Sequence, residues 1–564
     1  MVKGILKISQ ISKVFISKYF LITFFLTLLF FSSSFLRGES YAVATRHHLA
    51  TDIGMKVLEE GGNAIDAAVA VAFALAVVNP SAGNLGGGGF MLLHLAESNE
   101  TFSIDYRERA PIKSFEKMFQ DNSGKVIKGL SLNSILASGV PGTVSGMFYA
   151  SEMFGTIDIK SLIYPSIQLA KKGFVLSDFQ AKNLNKYKEK FSNNKEASEI
   201  FTRPNGFFQG DALVQTNLAK TLERIAQNGK EEFYSGETAN KIASFFKLNG
   251  GILSLKDLNK YKLRILKPVC GSYRKYEICS MAPPSSGGIA LIQILNILEN
   301  IDLNKVGHNS EDYLKFLISA MDYAYKDRAK YLGDPDFFKV PQDLLTSKEY
   351  ANDIYQLILE KKLPEKANVN IVEGDETTHF SIVDKWGNAV SNTYTLNTAF
   401  GSGIVPTGTG ILMNNEMDDF SSKPGYPNAY GLIGSEANKI EPKKTPLSSM
   451  SPVIVFRDDK PYLITGSPGG STIITSVLQE ILNILDFQMS LEESSKKKRI
   501  HFQHIPNIIF HEKLDKSLLE SIKKEKRLVK RKIGEIHSIL LKEDGIEAFS
   551  DRRRPDGKAS SIYE

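Results

Sequence analysis

The chain has 564 residues, of which 42% are hydrophobic and 23% are charged, and a formal net charge of +6. This balance is that of an ordinary globular protein and excludes a largely disordered chain. The length allows a large core and, taken alone, suggests several domains.

The N-terminus has the features of a secretion signal. Four lysines between positions 3 and 18 precede an almost wholly apolar run of thirteen residues, 19–31, and small or polar residues follow it. This run is short for a hydrocarbon core of about 30 Å and matches the apolar part of a signal peptide. We interpret residues 1–40 as a signal peptide, with an uncleaved membrane anchor as the alternative. The expected location is a bacterial periplasm; an anchored or extracellular protein is the alternative.

Residues 48–78 are predicted to be helical, because Ala, Leu and Val recur at three- and four-residue spacing. The loop that follows contains four consecutive glycines, 86–89, which permit a close approach of backbones. It lacks the Lys-Ser/Thr pair of a P-loop and the G-x-G-x-x-G spacing, so a phosphate site is not expected. Residues 144–362 are predicted to be mostly helical, interrupted by a hairpin around Tyr273 and a Pro/Gly-rich loop at 282–288.

The chain contains two cysteines, Cys270 and Cys279. They flank a segment that reads as a hairpin with Arg274 and Lys275 at its turn, which would set the two cysteines opposite each other. Two cysteines are too few for a disulfide scaffold or a cysteine-based zinc site. A cross-strand disulfide in an oxidising compartment is the hypothesis, and two unpaired thiols are the alternative.

The pattern changes after residue 373 to alternating β-branched or aromatic and polar residues. Strands are predicted in HFSIVD, AVSNTYTLN, GILMNN, SPVIVFRD and PYLITGS, and helices in IITSVLQEILNIL and SLLESIKKE. The boundary between the two parts is expected near the Gly374-Asp375 pair. Two basic runs, 496–499 and 523–532, are interleaved with Glu and Leu and have no aromatic platform. We interpret them as solvated helix surface, with a nucleic-acid patch as the alternative.

The first predicted strand of this second part begins at Thr377. Pairing across the turn at residues 385–388 places Thr395 close to Thr377, and a one-residue slip would turn Thr395 to the other face. A second hydroxyl beside a threonine nucleophile can hold its proton or orient it.

Other residues along the chain suit the cleavage of a carboxamide. Asn397, Glu416 and Asp419 offer acceptors for an ammonium group, and Ser448 and Ser449 offer donors for a carboxylate. The backbone N–H groups of Gly469 and Gly470 can form an oxyanion hole. Arg107 can bind a carboxylate through two parallel hydrogen bonds.

Several long segments together resemble the γ-glutamyltranspeptidases, and they occur in the order found in that family: GGNAIDAAVAVAFALAVVNPSAGNLGGGGFM, YRERAP, PPSSGGIA, TTHFSIVDKWGNAVSNTYTLN, MNNEMDDFSSKPGYPNAYG, PLSSMSP and TGSPGGS. The resemblance runs from about residue 43 to the C-terminus. It implies an α/β (α+β) fold, the four-layer αββα sandwich of N-terminal-nucleophile hydrolases. It also implies a precursor that cuts itself into a large subunit, 41–376, and a small subunit, 377–564, which form one intertwined domain.

The resemblance also assigns roles to individual residues. Thr377 resembles the nucleophile that self-cleavage after Glu376 exposes, and its free α-amine is then expected to act as the base. Thr395 matches the companion threonine, and Gly469 and Gly470 match the oxyanion hole. The remaining matches are substrate-binding residues: Arg107, Ser448 and Ser449 for the α-carboxylate, Asn397, Glu416 and Asp419 for the α-amino group, and Tyr430 as a lid.

The expected activity is cleavage of glutathione and related γ-glutamyl compounds, with transfer of the γ-glutamyl group to water, an amino acid or a peptide. The expected partners are these small molecules and the two subunits of one precursor, without nucleic acid, metal or cofactor. A cephalosporin-type acylase is the nearest alternative, and Asp419 argues against it because a glutaryl chain has no ammonium group. A poly-γ-glutamate hydrolase and an unprocessed, anchored binding protein are further alternatives.

Overall fold

Two stacked β-sheets form the centre of the molecule. The computed structural model describes residues 40–362, 376–523 and 527–563. The predicted signal peptide, apart from its last residue, and the predicted boundary at Gly374-Asp375 lie outside these residues. Residues Tyr41–Ser561 form one compact unit.

The first sheet has seven strands and takes them from both sides of position 377. Thr378–Val383 and Ala389–Thr395 form an antiparallel hairpin at its centre. The order across the sheet is Lys558–Tyr563, Ser40–Thr45, Thr378–Val383, Ala389–Thr395, Gly88–Leu95, Glu100–Asp105 and Arg264–Leu266.

The second sheet has six strands: Gly545–Ser550, His537–Lys542, Lys460–Thr465, Val453–Arg457, Tyr276–Ser280 and Val269–Tyr273. It faces the first sheet across a shared apolar core that includes Leu92 and Val383 from one sheet and Ile464 and Ile539 from the other. Polar bonds also join the sheets, since the Ser391 hydroxyl donates to the Thr465 carbonyl at 2.9 Å.

Helices cover the outer face of each sheet. Ala64–Val78 packs on the central hairpin of the first sheet, and all fifteen of its residues are buried. Its first turn is closed by a capping box between Asn63 and Asp66, which satisfies N–H groups that the helix itself cannot bond. On the second sheet, Gly287–Leu298, Glu311–Tyr331 and Ile473–Leu485 contribute to the largest apolar core. The layers are therefore αββα, which confirms the predicted fold class.

The remaining elements are shorter or lie further out. The other α-helices are His48–Glu59, Leu130–Asn133, Thr143–Phe154, Ile159–Lys172, Asp178–Lys186, Lys188–Phe191, Lys195–Phe201, Thr216–Asn228, Glu231–Tyr234, Glu237–Leu248, Leu255–Asn259, Leu303–Val306, Gln342–Leu345, Lys348–Leu359, Leu491–Lys496 and Lys516–Lys523. Short 3₁₀ turns are Glu416–Asp419, Glu436–Asn438 and Gly470–Thr472. Two small sheets contain Ile500–His501, Ile508–His511 and Arg527–Lys530, and Phe174–Val175 with Ala212–Leu213.

Three predicted elements differ from the structure. The predicted helix 48–78 is two helices, because Gly61 takes a positive φ of 93° that ends the first one. The predicted strand GILMNN is an irregular segment with a single bridge between Met413 and Gly86. The interpretation of the two basic runs as solvated helix surface is wrong in both: the helix Leu491–Lys496 ends at the start of the first run, where Arg499 is buried, and Arg527–Lys530 of the second is a strand that pairs in parallel with Ile508–His511.

The two cysteines are bonded to each other. Cys270 lies directly opposite Cys279 in the hairpin of Val269–Tyr273 and Tyr276–Ser280, with an S–S distance of 2.04 Å. Within the described ranges, one group of His, Cys, Asp or Glu side chains is compact enough to hold a metal ion, and it consists of Cys270, Glu277 and Cys279. The two sulfur atoms of this group are bonded to each other in the disulfide.

A search of the helices within the described ranges found none of the length and apolar character that a membrane crossing needs.

Candidate active site

The hairpin of the first sheet sets two threonine hydroxyls side by side. The last backbone pair in its register is Tyr394 with Thr378, so Thr395 and Thr377 are next along the ladder. Their Oγ1 atoms lie 3.2 Å apart, and both side chains are buried. The register predicted from the turn at residues 385–388 is therefore the one that the structure has.

Both hydroxyls converge on the carbonyl of Glu376, the residue before Thr377. Thr377 Oγ1 donates to this oxygen at 2.9 Å, and Thr395 Oγ1 is 3.3 Å from it. Thr395 Oγ1 also accepts the N–H of Asn397 at 2.9 Å, which directs its proton away from Asn397. A hydroxyl held against the carbonyl that precedes it is poised for an N→O acyl shift.

The side chain of Glu376 is buried among cations. Its two carboxylate oxygens lie 3.1 Å from Arg46 Nη2 and 3.2 Å from Arg554 Nη2. Burial alone would raise the pKa of the Glu376 carboxyl, but Arg554 and Arg46 outweigh it and hold the pKa below its usual range. The residue before Thr377 is therefore an anion in a closed, polar setting.

A small cavity with about 270 Å³ of empty space opens beside the two threonines. Leu432, Met450 and Ile473 supply its apolar wall. Ten of the residues predicted for the site line the rest of it: Arg107, Thr377, Thr395, Asn397, Glu416, Asp419, Tyr430, Ser448, Ser449 and Gly470. Gly469 and Glu376 are adjacent in sequence to lining residues and are not among them.

Arg107 is engaged by two of the acids predicted to hold an ammonium group. Its Nη1 lies 2.6 Å from Glu416 Oε1, and its Nη2 lies 2.6 Å from Asp419 Oδ2. The prediction treated the carboxylate clamp and the ammonium acceptors as separate parts, whereas the structure joins them. A fully buried guanidinium needs a counter-charge, and these acids supply it.

A third carboxyl group, that of Glu108, lies behind this pair, with Oε2 3.8 Å from Arg107 Nη1. Burial raises the pKa of Glu108 to about 7, although Arg107 favours its charged form. Burial also raises the pKa of Glu416 well above its usual range, and the charges of Glu108 and Asp419 add to this effect. Burial therefore raises the pKa of two of the three carboxyl groups around Arg107, and the set of one guanidinium and three carboxyls suits a ligand that carries both signs of charge.

Ser448 and Ser449 are fixed by a loop from the part of the chain that precedes Thr377. The Ser286 N–H and hydroxyl both donate to the Ser448 carbonyl, at 2.8 and 2.6 Å. Arg328, on the helix Glu311–Tyr331, donates to the hydroxyls of Ser286 and Ser449 at 2.9 and 3.2 Å. The Pro/Gly-rich loop at 282–288 thus serves as the support of the predicted carboxylate-binding serines.

The glycine turn lies under the ring of Tyr430. Gly469 and Gly470 have φ values of 133° and 56°, which favour glycine. A Cβ on Gly470 would overlap the Tyr430 ring. The Tyr430 hydroxyl donates to the Asn397 carbonyl at 2.6 Å, and its carbonyl accepts from Gln503 at 3.0 Å. The predicted lid residue is therefore held at both ends in the position where it covers the turn.

His379 lies apart from this chemistry. It is fully buried, and its ring nitrogens lie 2.8 Å from the Thr393 hydroxyl and 3.1 Å from that of Ser381. Burial lowers the pKa of His379 well below its usual range, and His537 lowers it further. His379 is therefore a buried strand histidine, bonded to neighbouring hydroxyls.

Sequence reasoning missed Arg46, Arg328 and Arg554 at this site. Arg328 lies in a helix that reads as ordinary amphipathic structure, and Arg46 follows the strand Ser40–Thr45 in a segment without a motif. The available signal was an arginine directly after the mostly apolar segment that forms the strand Ser40–Thr45, because such a charge is rarely buried without a partner.

Comparison with known proteins was consistent across sequence and structure. The family model described as gamma-glutamyltranspeptidase matches residues 50–561. The glutathione hydrolase proenzyme of Escherichia coli (strain K12) is 47% identical over 532 residues, which is 92% of each chain.

Two solved structures extend the comparison. Helicobacter pylori gamma-glutamyltranspeptidase is 48% identical, with a TM-score of 0.54 over 55% of this chain and 90% of that chain. A cephalosporin acylase from Bacillus halodurans has a TM-score of 0.80 over 93% of this chain and 96% of that chain. At 24% identity, the acylase shows a shared fold alone.

Proposed function

Because this chain belongs to the γ-glutamyltranspeptidase family, it is a γ-glutamyl hydrolase or transferase, and we propose that it acts on glutathione through a γ-glutamyl ester of Thr377. The observation that carries the proposal is the pair of threonine hydroxyls on the Glu376 carbonyl, beside a cavity lined by Arg107. The proposal includes a self-processing precursor with large and small subunits.

The first reaction matures the enzyme. Thr377 Oγ1 attacks the carbonyl carbon of Glu376, a C–O bond forms, and the C–N bond between the two residues breaks. The hydroxyl proton passes to the departing nitrogen, which becomes the α-amine of Thr377. Water then hydrolyses the ester and leaves a carboxylate on Glu376. Thr395 supports this sequence, since its hydroxyl lies beside both the nucleophile and the carbonyl oxygen.

The second reaction is the catalytic cycle. The free α-amine of Thr377, whose ordinary pKa is about 7.7–8.0, takes the Oγ1 proton as the oxygen attacks the γ-glutamyl carbonyl. The N–H groups of Gly469 and Gly470 stabilise the negative oxygen that forms. The amine of the leaving dipeptide then accepts the proton as its C–N bond breaks, and water or an acceptor amine attacks the resulting ester.

Substrate choice is attributed to the charges of the cavity. The α-carboxylate of the glutamyl group is bound by Arg107, Ser448 and Ser449, and it replaces Glu416 and Asp419 as the counter-charge of the Arg107 guanidinium. Its α-ammonium is bound by Asn397 and the freed carboxylates of Glu416 and Asp419. A glutaryl side chain brings no cation to those carboxylates, which favours a γ-glutamyl substrate over an acylase substrate.

Export is part of the proposal. The apolar run at 19–31 is the sequence feature that supports passage across an inner membrane into a periplasm. The disulfide between Cys270 and Cys279 is consistent with an oxidising compartment.

The test is the intact mass of the purified protein under denaturing conditions, combined with turnover of a γ-glutamyl anilide. We expect two chains, one of which begins at Thr377, and release of the aniline. The Thr377→Ala variant should remain a single, inactive chain, and the Thr377→Ser variant serves as its matched control because it keeps a hydroxyl. An uncleaved wild-type chain, or a Thr377→Ala chain cut at the normal position, would contradict the proposal.

A further inference from the structure

We propose that Arg46 is a positioning residue that bridges the scissile bond, and that Arg46 and Arg554 together select an acidic residue at position 376 for self-cleavage. The inference rests on the proposed self-processing and concerns residues outside the substrate cavity.

Arg46 contacts both residues that the cut separates. Its Nη1 donates to the Thr377 carbonyl at 2.5 Å, and its Nη2 lies 3.1 Å from the Glu376 carboxylate. A guanidinium is planar and rigid, so these two bonds fix the carbonyl of one residue against the side chain of the other. The peptide bond between them is thereby held in one orientation toward the Thr377 hydroxyl.

The two arginines and two carboxylates form a closed ring of ion pairs. Arg554 Nη2 lies 3.2 Å from Glu376, and Arg554 Nε lies 3.3 Å from Glu535. Arg46 Nε completes the ring at 3.4 Å from Glu535. Arg46, Glu376 and Glu535 are buried, and the Arg554 guanidinium packs 4.6 Å from the centre of the Phe179 ring.

The charges of this ring balance only when residue 376 is an anion. Other titratable groups lie near the ring: Lys190 interacts with Glu376, His537 lies 3.3 Å from Glu535, and Asp556 interacts with Arg46, although burial raises the pKa of Asp556 and favours its neutral form. A neutral residue at 376 would leave the buried Arg46 and the partly exposed Arg554 with Glu535 as the one remaining carboxylate of the ring. Buried charges without partners are costly, so the segment before Thr377 would leave its cleavable position.

The two arginine contacts have different fates after the cut. After cleavage, Glu376 is the last residue of the large subunit and takes no part in turnover. The Thr377 carbonyl belongs to the small subunit and is the carbonyl of the N-terminal nucleophile itself. Arg46 belongs to the large subunit, so its bond to this carbonyl then joins the subunits and holds the nucleophile. Glu376 therefore matters for maturation alone, and Arg46 matters for maturation and for turnover.

The experiment follows the rate of precursor cleavage by intact mass, and then kcat and KM of the mature enzyme, in three variants. Glu376→Gln keeps the shape of the side chain and removes its charge. Precursor cleavage should slow by about 100-fold in this variant, because misplacing a reacting group by about 1 Å has an effect of that order on a rate. The mature enzyme that forms should have wild-type kcat and KM. Glu376→Asp should restore part of the rate.

Arg46→Lys keeps the positive charge and loses the paired N–H donors of the guanidinium. In this variant precursor cleavage should slow, kcat of the mature enzyme should fall by about tenfold, and KM should stay within twofold of wild type. Arg224→Lys is the matched control, because Arg224 makes a similar ion pair with Glu232 at 2.9 Å outside the site. It should behave as wild type. Thermal unfolding of each precursor checks the fold.

Wild-type cleavage of Glu376→Gln would overturn the inference, and this result stands even if Arg46→Lys does not fold. Equal losses in Arg46→Lys and Arg224→Lys would overturn it as well. Failure of the wild-type chain to cleave would instead overturn the proposed function, so the two are distinguishable.

Discussion

Replacement of Gly470 by alanine tests the glycine turn and the lid in one step. Gly470 has a φ of 56°, and a Cβ there would lie closer than 3.0 Å to three atoms of the Tyr430 ring, a distance that real Cβ atoms essentially never show. The ring cannot simply rotate away, because its hydroxyl is bonded to the Asn397 carbonyl at 2.6 Å. We expect Tyr430 to leave its position over the cavity.

Two costs add up in this variant. The left-handed backbone costs an alanine about 1–2 kcal/mol, and overlap in a packed site costs about 1–3 kcal/mol more. Gly425→Ala is the matched control, since Gly425 has a φ of +75° and nothing lies within 4 Å of the position that a Cβ would take there. The control therefore carries the backbone cost without the overlap.

The assay is kcat and KM on a γ-glutamyl anilide, with thermal unfolding measured in parallel. Gly470→Ala should lower kcat by about 100-fold, because it disturbs both the oxyanion donors and the lid. Gly425→Ala should keep kcat within twofold of wild type. If Gly470→Ala retained the kcat of Gly425→Ala, the assignment of this turn to the reaction would be wrong.

Three further predictions concern charge and cross-linking. Arg107→Lys should lower kcat/KM by about 10–100-fold and leave the rate of self-cleavage unchanged, because lysine keeps the positive charge and loses the two parallel N–H donors of the guanidinium. Slowed self-cleavage would contradict this prediction. Burial holds the pKa of Glu480 at about 7, above its ordinary value of 4.5. Between these two pH values the folded chain keeps a proton that the unfolded chain releases, so the free energy of unfolding falls as the pH rises from 4.5 to 7. Glu480→Gln should therefore raise the melting temperature more at pH 8 than at pH 5, and an equal change at both values would contradict it. Replacing Cys270 and Cys279 together by serine should lower the free energy of unfolding by about 1–3 kcal/mol in denaturant titration, and no loss would show that the hairpin needs no cross-link.

The sequence predicted those parts of the site that depend on local pairing. Thr377 and Thr395 are joined by one hairpin, whose alternation and turn residues set the register, and Cys270 and Cys279 are joined by another. GILMNN has the composition of a strand, but it makes a single bridge, at Met413, because its other backbone groups bond to loops.

The sequence did not predict which charges meet across the fold. Arg46 and Glu376 are 330 positions apart, and Arg107 meets Glu416 and Asp419 over a similar separation. No periodicity encodes such contacts, since they depend on how the two sheets and their loops assemble. The family resemblance supplied the roles of Arg107 and Asp419, and it gave no indication that they bond to each other.

The order of strands in the first sheet has a consequence for the lifetime of the enzyme. Strands from before and after position 377 are interleaved in it, with Ser40–Thr45 between Lys558–Tyr563 and Thr378–Val383. While the chain is whole, refolding after a transient opening is a unimolecular event. Once it is cut, complete unfolding releases two molecules that must find each other again, so recovery depends on protein concentration. The lifetime of the proposed mature enzyme would then be set by its rate of unfolding and not by an equilibrium between folded and unfolded chains.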